Sequence, residues 1–493
     1  AGSPPHKLGV RIRRVEMITE YAQFIGGEWR PSDSELLGVE NPTTHQIISR
    51  VASGSVADAE AALCAARQAQ LAWEATPAVE RGQCLKKLAA EIRKHRLHLA
   101  KTLASEQAKI MPLALVEIDA SAEYLDYHAG FARMYEGEIL QSDRCNEQIY
   151  LHRVPLGVSV GICPWNFPVY VMMRKIAPAL VTGNTVVVKT SEFTPNTCFE
   201  IANLFERAGV PKGVINVITG LGPVVGDALT RSPVPDIISM TGSVRAGQSV
   251  MRNAAQHITK VSLELGGKAP VLIMPDADLD LAVDCVHASR VIFTGQVCNC
   301  AERVYVHEKV AHEFTEKLVA KMAGTKIGAP EAPGVEMCGL INAAQLTKVS
   351  GMVERALAGG AEALTGGSVN ERYQTGYHFE PTVLTGVSQA DEIVQQEIFG
   401  PVLPVLKFSH FDEGIALAND CDYGLTSSIF TNDANTVARA MTAFKCGETY
   451  VNREHFEAMQ GFHAGWRKSG VGGADGKHGL LEYLGTRAVY WQH

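Results

Sequence analysis

The sequence predicts an α/β fold built on parallel sheets that helices cover on both faces. Short apolar runs without polar alternation, such as Val186-Val187-Val188, are what strands buried on both faces require. Such runs alternate with helical stretches between residues 185 and 273, and the alternation restarts after residue 280. A chain of 493 residues has room for about three domains, so two α/β units with smaller additions fit its length.

Near the start, residues 24–29 read as a short strand and turn with Gly26 and Gly27 at the bend. Apolar residues three and four apart then predict helices over 56–73, 79–109 and 115–135, which would cover one face of a sheet. Strands are expected at 149–151 and 158–162, joined by a turn at Pro155-Leu156-Gly157. The alternation follows with strand 185–189, helix 195–208 opening on a proline, strand 214–218, helix 223–229, strand 237–240 and helix 243–255. Strands at 261–263 and 271–273 complete the first unit. The second begins with a helix over 282–293, a strand at 304–306 and a helix over 310–322. Strands are then expected at 381–384, 402–407, 427–430 and 449–451. After the glycine-rich stretch 461–479, an apolar strand at 486–490 needs a partner, which another subunit could supply.

Composition excludes several function classes. Lys plus Arg total 45 against 53 Asp plus Glu, and the net charge of −8 gives no support for nucleic acid or an anionic membrane as a partner. Eleven cysteines, an odd number with no C-x-x-C pair, fit a reducing compartment better than a disulfide framework. The lone Cys298-x-Cys300 pair offers too few ligands for a metal, so none is expected. Lys7, Arg11, Arg13 and Arg14 form a basic stretch without the apolar run of a signal peptide. Residues 155–173 carry no charge, but Pro164, Pro168, Gly157 and Gly161 fit a buried strand running into a loop better than a membrane span. The expectation is a soluble cytoplasmic protein.

Five stretches could carry chemistry. Gly242-Ser243-Val244-Arg245-Ala246-Gly247 follows a strand and opens a helix, where unpaired N–H groups attract phosphate; an ordinary strand-to-helix turn would look the same. Lys189-Thr190-Ser191-Glu192 ends the triple-valine strand, where Lys and Glu could bond ribose hydroxyls and the carboxylate would repel a 2′-phosphate. The bland alternative is a helix cap at Ser191 or Thr194. Cys298 lies in a glycine-containing bend, a better place for a nucleophile than Cys285 within a helix. Glu264 precedes Gly266 and Gly267 and could act as a base if burial raises its pKa, although a surface Glu at a turn is commoner. Asn166, fixed within Pro164-Trp165-Asn166-Phe167-Pro168, could donate to a developing oxyanion or merely cap its own turn.

The order of these pieces, completed by Glu397-Ile398-Phe399-Gly400-Pro401, closely resembles the NAD(P)-dependent aldehyde dehydrogenase superfamily over nearly the whole chain. The resemblance implies a Rossmann-like NAD-binding domain (17–138 and 157–269), a second α/β catalytic domain (270–469) and a small β oligomerisation arm (139–156 and 470–493). It implies Cys298 as nucleophile, Glu264 as general base and Asn166 as oxyanion donor. Lys189 and Glu192 would hold the adenosine ribose, with Trp165, Gly242 and Ser243 near the adenosine and pyrophosphate. Glu397 and Phe399 would position the nicotinamide half. The implied chemistry is oxidation of an aldehyde to the acid through a cysteine thiohemiacetal and thioester, with NAD as cofactor, no metal, and a homo-oligomer, expected as a tetramer.

The C-terminal segment narrows the substrate. Gly461-Phe462-His463-Ala464-Gly465 stands where many members have Pro-Phe-Gly-Gly, and the preceding residues 452–460 are equally polar. With Cys298-Asn299-Cys300 and Arg174, this is similar to the bacterial branch that oxidises lactaldehyde and glycolaldehyde. The resemblance implies that Arg174, Asn299, Glu457 and His463 line or support a substrate site that bonds a hydroxyl beside the aldehyde. His463 could instead be structural, bonded to Glu457 or Glu454, and Arg174 leaves a semialdehyde or aromatic aldehyde open. Thr190 departs from the proline or alanine usual after the family's lysine.

Overall fold

Two mixed sheets organise the computed structural model, which describes residues 18–31 and 35–493. The basic residues at 7–14 lie outside that range. The first sheet has eight strands in the order Gly470–Val471, Lys260–Glu264, Ile237–Thr241, Val158–Ile162, Thr185–Lys189, Ile215–Ile218, Gln23–Ile25 and Glu28–Arg30. The five in the middle of that order, from Lys260–Glu264 to Ile215–Ile218, run parallel, and antiparallel pieces close both edges. Every residue of Thr185–Lys189 is buried, which explains its unbroken apolar run. The edge hairpin turns at Gly26 and Gly27, whose φ values of +66° and +78° suit a two-residue loop that residues with side chains resist.

Chain order within the parallel strands places the site. Val158–Ile162 comes first and sits centrally; the next two strands add on one side and Ile237–Thr241 on the other. The winding reverses there, with Ile162 paired to Met240, so the loops after both strands open into one crevice.

The second sheet holds Glu362–Thr365, Thr382–Thr385, Val402–Phe408, Ala301–His307, Ala269–Ile273, Thr426–Phe430 and Glu448–Val451, parallel except for the first. A third sheet pairs Leu484–Gln492 with Glu147–Pro155, and the latter with Glu138–Leu140. Its C-terminal strand finds an intramolecular partner along its whole length, yet Ile139, Tyr490 and Trp491 remain exposed.

The α/β class stands, with local differences. The helix expected over 79–109 divides at His95, whose ψ of 11° is not helical, into Ala78–Lys94 and Arg96–Gln107. Both halves keep an apolar face, so periodicity does not reveal the break. The helix expected over 195–208 stops at Ala202. The strands Thr19–Tyr21, Leu36–Glu40 and Ile47–Ala52 form a small sheet that the sequence did not announce, and the helix Ala343–Ala358 was also missed. Residues 155–173 become the strand Val158–Ile162, a loop and the start of the buried helix Pro168–Thr182. Among the described residues no helix is long and apolar enough to cross a membrane.

Candidate active site

The loop after Val158–Ile162 carries Trp165 and Asn166 into the crevice, and buried polar groups hold it from behind. Gln107 donates to the Asn166 carbonyl at 3.0 Å and also to the Trp165 carbonyl. Lys109 donates to the same Asn166 carbonyl at 2.7 Å while paired with Glu117. Glu117 in turn accepts from the Val169 and Tyr170 N–H groups at the start of Pro168–Thr182. The Asn166 side chain accepts from Phe167 N and gives one N–H to the Gln296 carbonyl at 3.0 Å. An amide nitrogen has two hydrogens, so one stays available to a ligand. The turn-capping alternative is thus met by the Asn166 oxygen, leaving one N–H of its amide for other work.

Cys298 rides on a strained bend. Phe293, Thr294 and Gly295 all have positive φ, the first two at costs that non-glycine residues bear only where surroundings impose it. A Cβ on Gly295 would lie 2.3 Å from the Gly400 carbonyl oxygen, and one on Gly267 would lie 2.2 Å from that of Cys298. The Glu-Leu-Gly-Gly segment therefore packs directly on the nucleophile candidate. Cys298 keeps partial exposure, whereas Cys300 and Cys285 are buried.

Glu264 ends its strand buried, not at the surface. Burial pushes its carboxyl up, but Lys175, Arg174, His463 and a hydrogen bond from Thr241 outweigh that and hold it below the ordinary carboxylate range. The expectation of a pKa raised by burial is therefore reversed, because Arg174 and Lys175 approach it from the neighbouring helix. Lys175 reaches it through Thr241, to which it donates at 2.9 Å.

Trp165, Asn166, Gly242, Ser243, Glu264, Cys298, Glu397 and Phe399 all line one cleft. Ser243 caps the helix Val244–Ala254, accepting from Ala246 N, and that helix start forms one wall. A second cleft continues past Ser243 and brings Arg245, Lys348 and Arg355 together. Glu397 accepts from Gly267 N at 2.9 Å and fills the space a Gly266 Cβ would need; burial pushes its carboxyl up to about 7. Phe399, at φ 58°, stands edge-on to Trp165 with ring centroids 5.4 Å apart. Glu302 fixes this loop by accepting from Ile398 N and Phe399 N. Burial would raise the Glu302 carboxyl, but Arg290 and Lys268 hold it at about 2. Lys189 and Glu192 lie outside both clefts, 3.4 Å from each other at the end of their strand. Ser191 caps only Phe193, and the Thr190 and Thr194 hydroxyls beside them are buried without partners.

These groups suit a dinucleotide. A helix start with nearby cations fits a pyrophosphate, the unpartnered Thr190 hydroxyl adjoins a Lys–Glu pair of the kind that bonds ribose, and the Glu397 carboxylate faces open space.

Arg174, Asn299, Glu457 and His463 do not line the cleft but gather in a buried cluster against Cys298 and Glu264. Arg174 is its hub. It donates to both Asp475 oxygens and, at 2.9 Å, to Glu457, and it lies 3.7 Å from Glu264. Asn299 donates to Glu457 and to the His455 carbonyl. His463 bonds neither Glu457 nor Glu454; its Nδ1 lies 2.6 Å from Glu448. Glu457 is already taken by Arg174 and Asn299.

Sequence reasoning missed Gln345 and Lys348, which line the cleft three residues apart on one face of the unforeseen helix Ala343–Ala358. It also missed Glu448 and Asp475, whose partners no local motif marks.

Known proteins resemble the chain over nearly its whole length. The Aldehyde dehydrogenase family model matches residues 29–489. The chain is 50% identical over 482 residues to the lactaldehyde dehydrogenase of Escherichia coli strain K12, covering 97% of this chain and 100% of that protein. The crystal structure of lactaldehyde dehydrogenase from Escherichia coli superposes with a TM-score of 0.95 over 96% of this chain and 99% of that one. The structure of 3,6-anhydro-L-galactose dehydrogenase in complex with NAP gives 0.94 at 42% identity, covering 96% and 100%. Matched by the family model over residues 29–489 and 50% identical to a relative over 97% of its length, the chain belongs to the aldehyde dehydrogenase family.

Proposed function

We propose that this enzyme oxidises a small 2-hydroxyaldehyde, lactaldehyde or glycolaldehyde, to its acid with NAD. The observation that carries the reading is that Cys298, Asn166 and Glu264 share a single cleft with the Ser243 helix start and Glu397. Lys189 and Glu192 bond the adenosine ribose, Trp165, Gly242 and Ser243 receive the adenosine and pyrophosphate, and Glu397 and Phe399 position the nicotinamide half. The dinucleotide, when bound, supplies the hydride acceptor. The chain supplies the rest. Cys298 Sγ adds to the aldehyde carbon and later carries the acyl group as a thioester. The free N–H of Asn166, with the Cys298 backbone N–H, meets the oxyanion at little reorganisation cost because Gln107 and Lys109 already fix its backbone. Glu264, ionised at neutral pH, takes the proton of the hydrolytic water.

The substrate end rests on the polar cluster of Arg174, Asn299, Glu457 and His463. Such groups make a polar wall that favours an aldehyde with a neighbouring hydroxyl over an alkyl one. Arg174 is already bound by Asp475 and Glu457, which weighs against a semialdehyde's distal carboxylate. Residues 17–138 and 157–269 form the NAD-binding domain and 270–469 the catalytic domain. The segments 139–156 and 470–493 build the arm, whose exposed Ile139, Tyr490 and Trp491 suit a homotetramer. Eleven free cysteines fit a cytoplasmic location.

The test is kcat/KM with NAD for lactaldehyde, glycolaldehyde, propanal and succinate semialdehyde. The hydroxyaldehydes should lead propanal by about tenfold or more, ~1.4 kcal/mol of transition-state discrimination. A lead for succinate semialdehyde would refute the substrate assignment and leave the cysteine chemistry standing.

A further inference from the structure

Three charged side chains, Lys268, Arg290 and Glu302, lie wholly inside the protein beside the site, and none lines either cleft. Buried ion pairs add little net stability, because desolvation offsets their attraction. Their contacts show what they join instead. Glu302 stands four residues after Cys298, in the strand Ala301–His307. One of its carboxylate oxygens accepts from Lys268 at 2.8 Å and from Ile398 N at 3.0 Å. The other lies 2.9 Å from Arg290 and accepts from Phe399 N at 3.0 Å.

Each partner belongs to a different piece of the site. Lys268 ends the segment that begins with Glu264. Arg290 donates to the Gly295 carbonyl at 2.7 Å, inside the strained bend before Cys298, and to the Ala301 carbonyl beyond it. Ile398 and Phe399 directly follow Glu397. Successive N–H groups converge on an anion where a left-handed residue turns the backbone into a concave nest. Phe399, at φ 58°, is such a residue, and a phenylalanine bears that conformation only where its surroundings impose it. The anion in this nest is the chain's own carboxylate. Arg290 and Lys268 hold that carboxyl at about 2, so its charge persists across the neutral range.

We propose that Glu302 is a positioning residue, an internal anion that sets Glu397 and Phe399 in register with the Cys298 bend and so shapes the seat for the nicotinamide half of the cofactor. It touches neither substrate nor cofactor, and no bond is made or broken at it. The inference rests on the reading of Glu397 and Phe399 as the nicotinamide residues.

The test joins two measurements on the full-length enzyme without aldehyde, in wild type, Glu302→Gln and Phe399→Ala. The first is amide hydrogen exchange of the ligand-free protein. Glu302→Gln keeps the side-chain shape and removes the charge. The peptide holding residues 398–399 should then exchange about tenfold faster or more, while the helix Val244–Ala254 keeps its wild-type rate. The second is calorimetric titration with NAD and with ADP, which carries only the adenosine half. NAD should bind Glu302→Gln about tenfold more weakly, and ADP within about twofold of wild type. Should Glu302→Gln fold poorly, the double variant Lys268→Met with Glu302→Gln removes one stranded cation and is read the same way. Unchanged exchange at 398–399, or equal losses for NAD and ADP, would overturn the positioning role. Phe399→Ala should also weaken NAD selectively. If it leaves NAD binding as in wild type, the nicotinamide reading fails and the inference falls with it. If it weakens NAD and Glu302→Gln does not, the positioning role alone fails.

Discussion

Gly267 and Cys298 are in backbone contact across the site, with no room for a methyl group between them: a Cβ on Gly267 would sit 2.2 Å from the Cys298 carbonyl oxygen. The same Gly267 N–H donates to Glu397. One glycine therefore registers Cys298 against Glu397. Gly267→Ala must displace the Cys298 bend, a form of overpacking that costs about 1–3 kcal/mol. We expect kcat to drop about tenfold or more and Tm to fall by several degrees. Steady-state kinetics and a thermal melt check this, and wild-type kcat in a folded variant would contradict it.

The Glu397 carboxyl, pushed up to about 7 by burial, titrates within the working range. In the proposed role its charged form would accept hydrogen bonds from ribose hydroxyls; that form is present above pH 7 and lost as pH falls through it. The Kd for NAD should therefore rise several-fold from pH 8 to pH 6. Glu397→Gln, which does not titrate, should flatten the dependence. Isothermal titration of both proteins at the two pH values is the check, and an equally steep slope in the variant would refute the assignment.

Glu192 sits partly exposed beside Lys189, where a 2′-phosphate would meet a carboxylate. Wild type should prefer NAD over NADP, and Glu192→Gln should shrink the preference about tenfold by removing the repulsion. The kcat/KM ratio for the two cofactors reads this directly. An unchanged ratio would place the 2′ position elsewhere.

Arg174 neutralises Asp475 and Glu457 in the interior. Arg174→Met strips the buried Asp475 carboxylate of its cation and takes one partner from the half-buried Glu457, which costs about 3–5 kcal/mol. Adding Asp475→Asn should recover part of that loss, since it removes one of the stranded charges. Urea unfolding of the single and double variants measures it. A single variant as stable as wild type would mean that Arg174 serves substrate rather than fold.

Much of the site was legible because its chemistry sits in short punctuated motifs. Asn166 lies between prolines, Glu264 before two glycines, and Cys298 after one, and the structure brings all three to one cleft. What escaped was made by distance. Asp475 lies 301 residues from Arg174, and Gln345 and Lys348 ride on a helix whose start is marked only by the Asn342 cap. The direction of the Glu264 shift escaped too, since burial alone raises a carboxyl and only the fold reveals Arg174 and Lys175 beside it. His463 was expected on Glu457 or Glu454, but the competing bonds of Arg174 and Asn299 occupy Glu457 and the Gly447 crossing delivers Glu448.

In the proposed reaction Cys298 holds the acyl group and Glu264 releases it. The most direct measurement is a mass-spectrometric map of Glu264→Gln after incubation with NAD and lactaldehyde. A lactoyl adduct should accumulate on the Cys298 peptide, with at most one turnover of NADH formed. Sustained NADH production, or an adduct on another cysteine, would show that the two residues do not divide the reaction this way.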